Sequence, residues 1–328
     1  MTTLGIDLGT ASVLIYIEGR GIVLTEPSVV AIDKNLDRTV AVGEQAKQML
    51  GKTPTNIVAI RPIRDGVIAD YEVTEYMLRY FIKRVTGGGF NFFRPSVIIC
   101  VPAAVTSVER RAVREATINA GAKRVAIIEE PFAAALGAGI DVDRPYAGTV
   151  IDIGGGTTDI AVISLGGTVV GTSVPVAGNK IDEAIVRYFK NKHNLIIGER
   201  VAEDLKILLG CSFDNKNVKT TEVRGRDVFT NLPACVPVSS ADIADAIRDP
   251  IYKILDALVD VLENTPPELS GDIEESGIIM TGGGALLKGL DRFLTKQIGV
   301  NVRSADDPIT CVAIGTGKAE ARNIEWLY

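Results

Sequence analysis

Asp7 and Asp152 each close a short apolar run, and a turn of glycine and threonine follows each at once. The first reads Ile6-Asp7-Leu8-Gly9-Thr10, the second Ile151-Asp152-Ile153-Gly154-Gly155-Gly156-Thr157. Glycine lets backbone N–H groups approach a ligand with no Cβ in the way. Successive N–H groups in such a turn form a concavity for phosphate oxygens. A carboxylate just before it suits a Mg2+ ion that keeps several of its waters. The pattern predicts a polyphosphate held from two sides. Asp7 and Asp152 would face the metal through water, and the N–H groups of Gly9, Thr10, Gly154, Gly155, Gly156 and Thr157 would donate to phosphate.

Such turns need strands on either side. The segments "LGIDLGTASVLIYIEGRGIVL" and "TVIDIGGGTTDIAVISLGGTVV" follow one plan: an apolar strand to the aspartate, the turn, a β-branched strand, a second glycine turn and a returning strand. The aspartates are 145 residues apart, so the repeat is a duplicated domain and not a solenoid. One copy alone would be a plain hairpin. Two copies with the carboxylate at the same offset favour phosphate. A dinucleotide fingerprint is excluded, because Asp159 stands where its last glycine belongs.

Helical patterns follow each copy. "TSVERRAVREATINAGA" opens on a Thr106/Glu109 capping box and ends at Gly121. Ile243, Ile247, Ile251, Ile254, Leu258 and Leu262 keep helical spacing. Pro250 interrupts that run and predicts either a kink or a restart with Asp249 as N-cap. Strands mixed with helices predict an α/β fold with helices packed on the sheets.

The 328 residues suffice for two domains, and 46% hydrophobic with 23% charged residues is normal for globular cores. A net charge of -6 gives no electrostatic footprint for nucleic acid. Cys100, Cys211, Cys235 and Cys311 are far apart and read as reduced thiols of a cytoplasmic protein. His193, the one histidine, has polar neighbours, which removes Ser-His-Asp chemistry and His-rich zinc sites. The N-terminus has no basic region of a signal peptide, and no apolar run approaches the roughly 20 residues of a membrane helix.

The residues resemble the superfamily of actin, the Hsp70 ATPase domain and the sugar kinases. "IDLGTA" (6–11) and "IDIGGGTTD" (151–159) resemble its two phosphate loops, and "TGGGALLKG" (281–289) its adenosine loop. "IIEEPFAAALGAG" (127–139) and "AIGTGKAE" (313–320) resemble its two connecting segments. The match narrows to bacterial actin of the MreB/Mbl rod-shape type through "RPIRDGVIADY" (61–71), "VPAAVTSVERRAVREA" (101–116), "NLIIGERVAEDLK" (194–206) and "TPPELSGDI" (265–273).

The resemblance implies an actin-like ATPase fold: two duplicated ribonuclease-H-like lobes, each with a small inserted subdomain, around a nucleotide cleft. Lobe I would span 1–140 plus 308–328, with its insertion at roughly 33–72. Lobe II would span 141–307, with its insertion at roughly 184–246. The implied cofactors are ATP/ADP and Mg2+. By motif position Glu130 orients the attacking water, helped by the Thr158 hydroxyl, with Asp152 on the metal side. Glu129 is expected to be structural or exposed. Glu203 and Lys206 are three residues apart on one helix face. Alone they read as a surface ion pair, whereas the resemblance makes them ribose and adenine contacts. Gly282, Gly283 and Gly284 would lie against the base, and Ala11, Ser12 and Gly178 complete the expected nucleotide contacts. Ser12 and Asn179 depart from the family's usual Asn and Asp near the phosphate end.

The family activity implied is ATP-dependent assembly into homopolymer filaments on the inner face of the cell membrane, with anionic lipid and membrane-bound cell-wall elongation proteins as partners. The alternatives are a plasmid-partitioning actin or a small-molecule kinase of the same fold. Phe90, Phe92 and Phe93 follow a triple-glycine run and are flanked by Lys83, Arg84 and Arg94. These rings could pack on the core. The resemblance places a membrane-inserting loop there.

Overall fold

Strand parity decides where the two aspartates point. Successive side chains in a strand face opposite sides. In Thr3–Leu8, Leu4, Ile6 and Leu8 enter one hydrophobic core, so Gly5 and Asp7 face away from it. In Gly148–Ile153, Ile151 and Ile153 enter a second core, while Val150, on the face of Asp152, joins a third cluster between the two. Strand Ser96–Val101 splits the same way: Val97, Ile99 and Val101 go to the first core, and Ile98 and Cys100 to the middle cluster. A strand buried on both faces reads as an unbroken apolar run, as residues 97–101 do.

The structure, a computed structural model, describes residues 2–87, 94–210, 218–322 and 325–326. Phe90, Phe92 and Phe93 of the expected membrane loop, and Cys211, lie outside the described residues.

The duplication is visible in the sheets. In the first, Thr3–Leu8, Ser12–Ile17 and Gly21–Pro27 form an antiparallel meander, and Ser96–Val101 and then Arg124–Glu129 add in parallel. In the second, Gly148–Ile153, Thr158–Ser164 and Gly167–Val174 form the meander, and Ile278–Thr281 and then Val302–Ser304 add in parallel. Both meanders carry an irregularity in the middle strand, at Ile15/Tyr16 and at Val162/Ile163. The chain is therefore the two-lobed, actin-like α/β fold that the motifs imply. A small sheet lies within residues 30–60, built of Val30–Asp33, Arg38–Val42 and Ile57–Ile60. Another lies within 195–239, built of Leu195–Ile196, Thr220–Asp227 and Pro233–Ser239.

Two helices run between the lobes, Glu130–Gly137 and Cys311–Lys318. They touch backbone to backbone. A Cβ at Gly137 would stand 1.8 Å from the Cys311 carbonyl oxygen, and one at Gly315 would stand 1.7 Å from that of Ala133. Only glycine permits this approach. Ala133, Ala134, Ala135 and Val312 fill the middle cluster around it.

The Ser107–Asn119 helix starts on the expected capping box, with Thr106 and Glu109 bonded reciprocally. Its C-cap is Ala120, and Gly121 follows with φ +114°. Pro250 marks a restart, but the break falls earlier than Asp249. Ser240–Ala246 ends, Ile247 caps, and Arg248–Glu263 begins with Pro250 in its first turn. Proline is tolerated there because first-turn N–H groups have no partner within the helix. Among the described residues no helix is long and apolar enough to cross a membrane.

Candidate nucleotide cleft

The two glycine turns meet across the gap between the lobes. A Cβ at Gly155 would stand 2.5 Å from the Ala11 Cβ, and one at Gly156 2.4 Å from Thr10 Oγ1. Each turn closes with the same bond: Gly9 N–H donates to the Ser12 carbonyl at 3.0 Å, and Gly154 N–H to the Thr157 carbonyl at 2.9 Å. Those two N–H groups are thus spent within the turns. This corrects the expectation that they donate to phosphate and leaves Thr10, Gly155, Gly156 and Thr157 as its predicted donors. Thr10 Oγ1 also accepts the Gly66 N–H at 3.0 Å, and Ser28 Oγ donates to the Gly9 carbonyl at 2.6 Å.

A cavity of about 420 Å³ opens beside these turns. Asp7, Gly9, Thr10, Ala11 and Ser12 line it from lobe I, and Asp152, Gly154, Gly155, Gly156, Thr157 and Gly178 from lobe II. Glu130, Glu203, Lys206, Gly282, Gly283 and Gly284 line it too. Thr158 does not. It is fully buried and donates to the Val176 carbonyl at 2.7 Å, so its proton is committed to the strand behind the turn. Gly178 and Asn179 donate their N–H groups to the carbonyls of Gly154 and Gly155 at 3.1 and 2.8 Å. The start of the Gly178–Lys192 helix therefore supports the second turn directly.

Buried acids dominate the phosphate end. Burial pushes Asp7 up to about 7, opposed by the Cys100 thiol, which donates to its Oδ1 at 3.5 Å. Burial also pushes Asp152 to about 7, opposed by the Thr281 hydroxyl, which donates to its Oδ1 at 2.6 Å. Glu130, 8% exposed at the start of its helix, is raised well above the usual carboxyl range. Burial is the main cause, followed by the charges of Asp159, Asp7 and Asp152. Glu129 turns the other way and pairs with Arg110 at 2.7 Å.

This donor set fits a hydrated Mg2+. Two buried carboxylates poised near neutrality lose little by exchanging protons for a divalent cation. Among the described residues no three His, Cys, Asp or Glu side chains gather closely enough to hold a metal by themselves. An ion between Asp7 and Asp152 would complete its shell with phosphate oxygens and water.

At the other end the walls are apolar and exposed: Ile207, Leu286 and Ile309. Glu203 and Lys206 do not pair with each other. Lys206 Nζ bonds Asp182 at 2.9 Å and the Gly178 carbonyl at 3.1 Å, and Glu203 bonds Lys47 at 3.1 Å. Sequence reasoning missed Cys100, Thr281, Asp159, Asp182, Lys47 and Arg61. Asp159, fully buried, accepts the Ala103 N–H at 3.0 Å and raises Glu130. Thr281 could have been found, since it opens the quoted "TGGG" motif. Arg61 likewise opens the quoted "RPIRDGVIADY" block, whereas Lys47 carries no local signal.

A family model described as MreB/Mbl protein matches residues 1–326. The cell shape-determining protein Mbl of Bacillus cereus is 52% identical over 314 residues, spanning 96% of this chain and 94% of that protein. The cell shape-determining protein MreB of Escherichia coli is 50% identical over 320 residues, spanning 96% and 92%. Among solved structures, MreB5 of Spiroplasma citri bound to ADP superposes with a TM-score of 0.93 at 38% identity, covering 98% of this chain and 96% of that one. MreB5 bound to AMPPNP also gives 0.93, at 39% identity over the same shares. The MamK double helical filament shares the fold, with a TM-score of 0.83 at 23% identity over 98% and 99%.

Proposed function

The chain belongs to the MreB/Mbl protein family, and from that premise we propose that it is an ATP-driven, filament-forming bacterial actin that organises cell-wall synthesis and rod shape from the inner face of the membrane. The observation that carries this reading is the pair of duplicated turns facing each other across one cavity, with Asp7 and Asp152 on their inner faces. A ligand that touches both lobes favours the closed state through the contacts it makes only there. ADP- and AMPPNP-bound MreB5 supports a nucleotide as that ligand.

In this reading lobe I is 1–140 plus 308–328 and lobe II is 141–307. The N–H groups of Thr10, Gly155, Gly156 and Thr157 cradle the phosphates. Asp7 and Asp152 would hold Mg2+ through water, and the ion would supply positive charge against the charge that develops on the phosphates. Glu130 holds the attacking water in line, which requires its carboxyl to give up the proton that burial and its acidic neighbours keep on it. Thr158, fully buried behind the cavity wall, backs the second turn and takes no part in holding that water, which leaves the task to Glu130. Glu203 and Lys206 flank the ribose, with the base against Gly282, Gly283 and Gly284. Hydrolysis is slow and coupled to polymerisation. Phe90, Phe92 and Phe93 anchor the filament in anionic lipid.

The test is sedimentation and electron microscopy of the purified protein with Mg·ATP, with and without anionic liposomes. Filaments that need ATP and gather on lipid are expected. Asp152→Ala should lose Mg·ATP binding and filaments together. Normal filaments from a variant that binds no nucleotide would sink the coupling.

A further inference from the structure

Two ion pairs cross the mouth of the cavity. Lys47, on the Glu44–Met49 helix of the lobe I insertion, bonds Glu203 at 3.1 Å, and Arg61, just past strand Ile57–Ile60, bonds Glu199 at 2.8 Å. Both acids belong to the Glu199–Leu209 helix of lobe II. They are four residues apart and share one face of it. An adjoining face is fixed, because Ala202, Leu205 and Leu209 are buried in the lobe II core. Lys206 ties the same helix to Asp182. Lys47, Arg61 and Glu203 all line the cavity.

The partners are 156 and 138 residues apart in the chain, so the bridges form only when the insertions approach each other. We propose that Lys47–Glu203 and Arg61–Glu199 are a two-point latch that sets how long the cleft retains its nucleotide. Lys47 is also a positioning residue. It holds Glu203 by Oε1 at the wall of the cavity that Glu203 lines. The latch rests on the nucleotide reading given above. Each bridge is partly exposed: the side chains of Lys47 and Glu203 are 34% and 29% accessible, and those of Arg61 and Glu199 are 27% and 71%. The effect of each is therefore kinetic and modest, and it weakens with salt.

The experiment follows dissociation of a fluorescent N-methylanthraniloyl-ATP, with Mg2+, from the full chain by stopped flow. Arg61→Gln and Glu199→Gln should each speed release roughly two- to five-fold. The double variant should release no faster than either single one, because both changes break the same bond. Lys47→Gln, which breaks the other bridge, should multiply the effect of Arg61→Gln. Added KCl should speed release from the wild type more than from the Arg61→Gln/Lys47→Gln variant. Thermal melting of each variant at the wild-type temperature shows that it is folded. Singles that release at the wild-type rate, or an Arg61→Gln/Glu199→Gln double equal to the product of its singles, would overturn the latch. A wild-type chain that never binds the probe would overturn the nucleotide reading itself.

Discussion

Glu129 and Glu130 are adjacent in the chain and face opposite environments: Glu129 pairs with Arg110 at 2.7 Å, and Glu130 is buried beside Asp7 and Asp152. The last strand residue and the first helical residue point apart, so one acid is neutralised by a cation and the other is left among acids.

Glu130→Ala should lower phosphate release from ATP by about 10²–10⁴-fold, the usual contribution of a positioned acid–base group, and leave ATP binding intact. Glu129→Ala should leave the rate within a few-fold of wild type, since an exposed pair contributes only about 0–1 kcal/mol. Steady-state phosphate release beside equilibrium nucleotide binding checks both. Full hydrolysis by Glu130→Ala would assign the water elsewhere.

Gly156→Ala places a methyl group 2.4 Å from Thr10 Oγ1, where the two turns meet. Relieving such overpacking costs about 1–3 kcal/mol. The lobes can avoid that cost by staying apart, so nucleotide Kd should weaken about ten- to a hundredfold. Thr10→Gly in the same chain should recover part of the loss. Titration calorimetry reads both, and unchanged affinity in Gly156→Ala would mean the turns need not touch.

Nucleotide-free protein should lose stability as pH rises through about 7. Asp7 and Asp152 titrate near 7 when folded and near 3.8 when unfolded. Between those values the folded state holds more protons, so raising the pH favours unfolding. The stability from keeping these acids neutral is complete below about 3.8 and gone above about 7. Melting temperature should therefore fall between pH 5 and pH 7.5, and Mg2+ with ATP should flatten the slope. An equal slope in an Asp7→Asn/Asp152→Asn variant would refute this origin.

Replacing Phe92 and Phe93 by Ser should leave ATP binding intact and release filaments from anionic liposomes. Each buried ring is worth roughly 1.5–3 kcal/mol and each nearby basic side chain about 1 kcal/mol on anionic lipid. A single copy would bind weakly, and a filament would gain by presenting many. Wild-type co-sedimentation by the double variant would move the anchor elsewhere.

The features legible in the sequence are those with a short period. The Thr106/Glu109 pair marked a helix start to the residue. Both glycine turns were readable because they repeat. What escaped depends on groups distant in the chain. Lys47 and Arg61 gain a role only when lobe II stands 3.1 and 2.8 Å away. Asp159 read as a strand residue until the Ala103 N–H and Glu130 surrounded it. The N–H groups of Gly9 and Gly154 looked free because a turn's own closing bond has no residue-type signature.

At the seam where Gly137 meets Cys311 and Gly315 meets Ala133, two peptide backbones bear directly on one another. No side chain cushions the contact, so sliding along the seam drives one peptide into the other. Even one methyl group at position 137 or 315 is a wedge in the bearing. Such a variant must push the two helices apart, and with them Glu130 and Val312, so damage at the seam would be felt in the cavity.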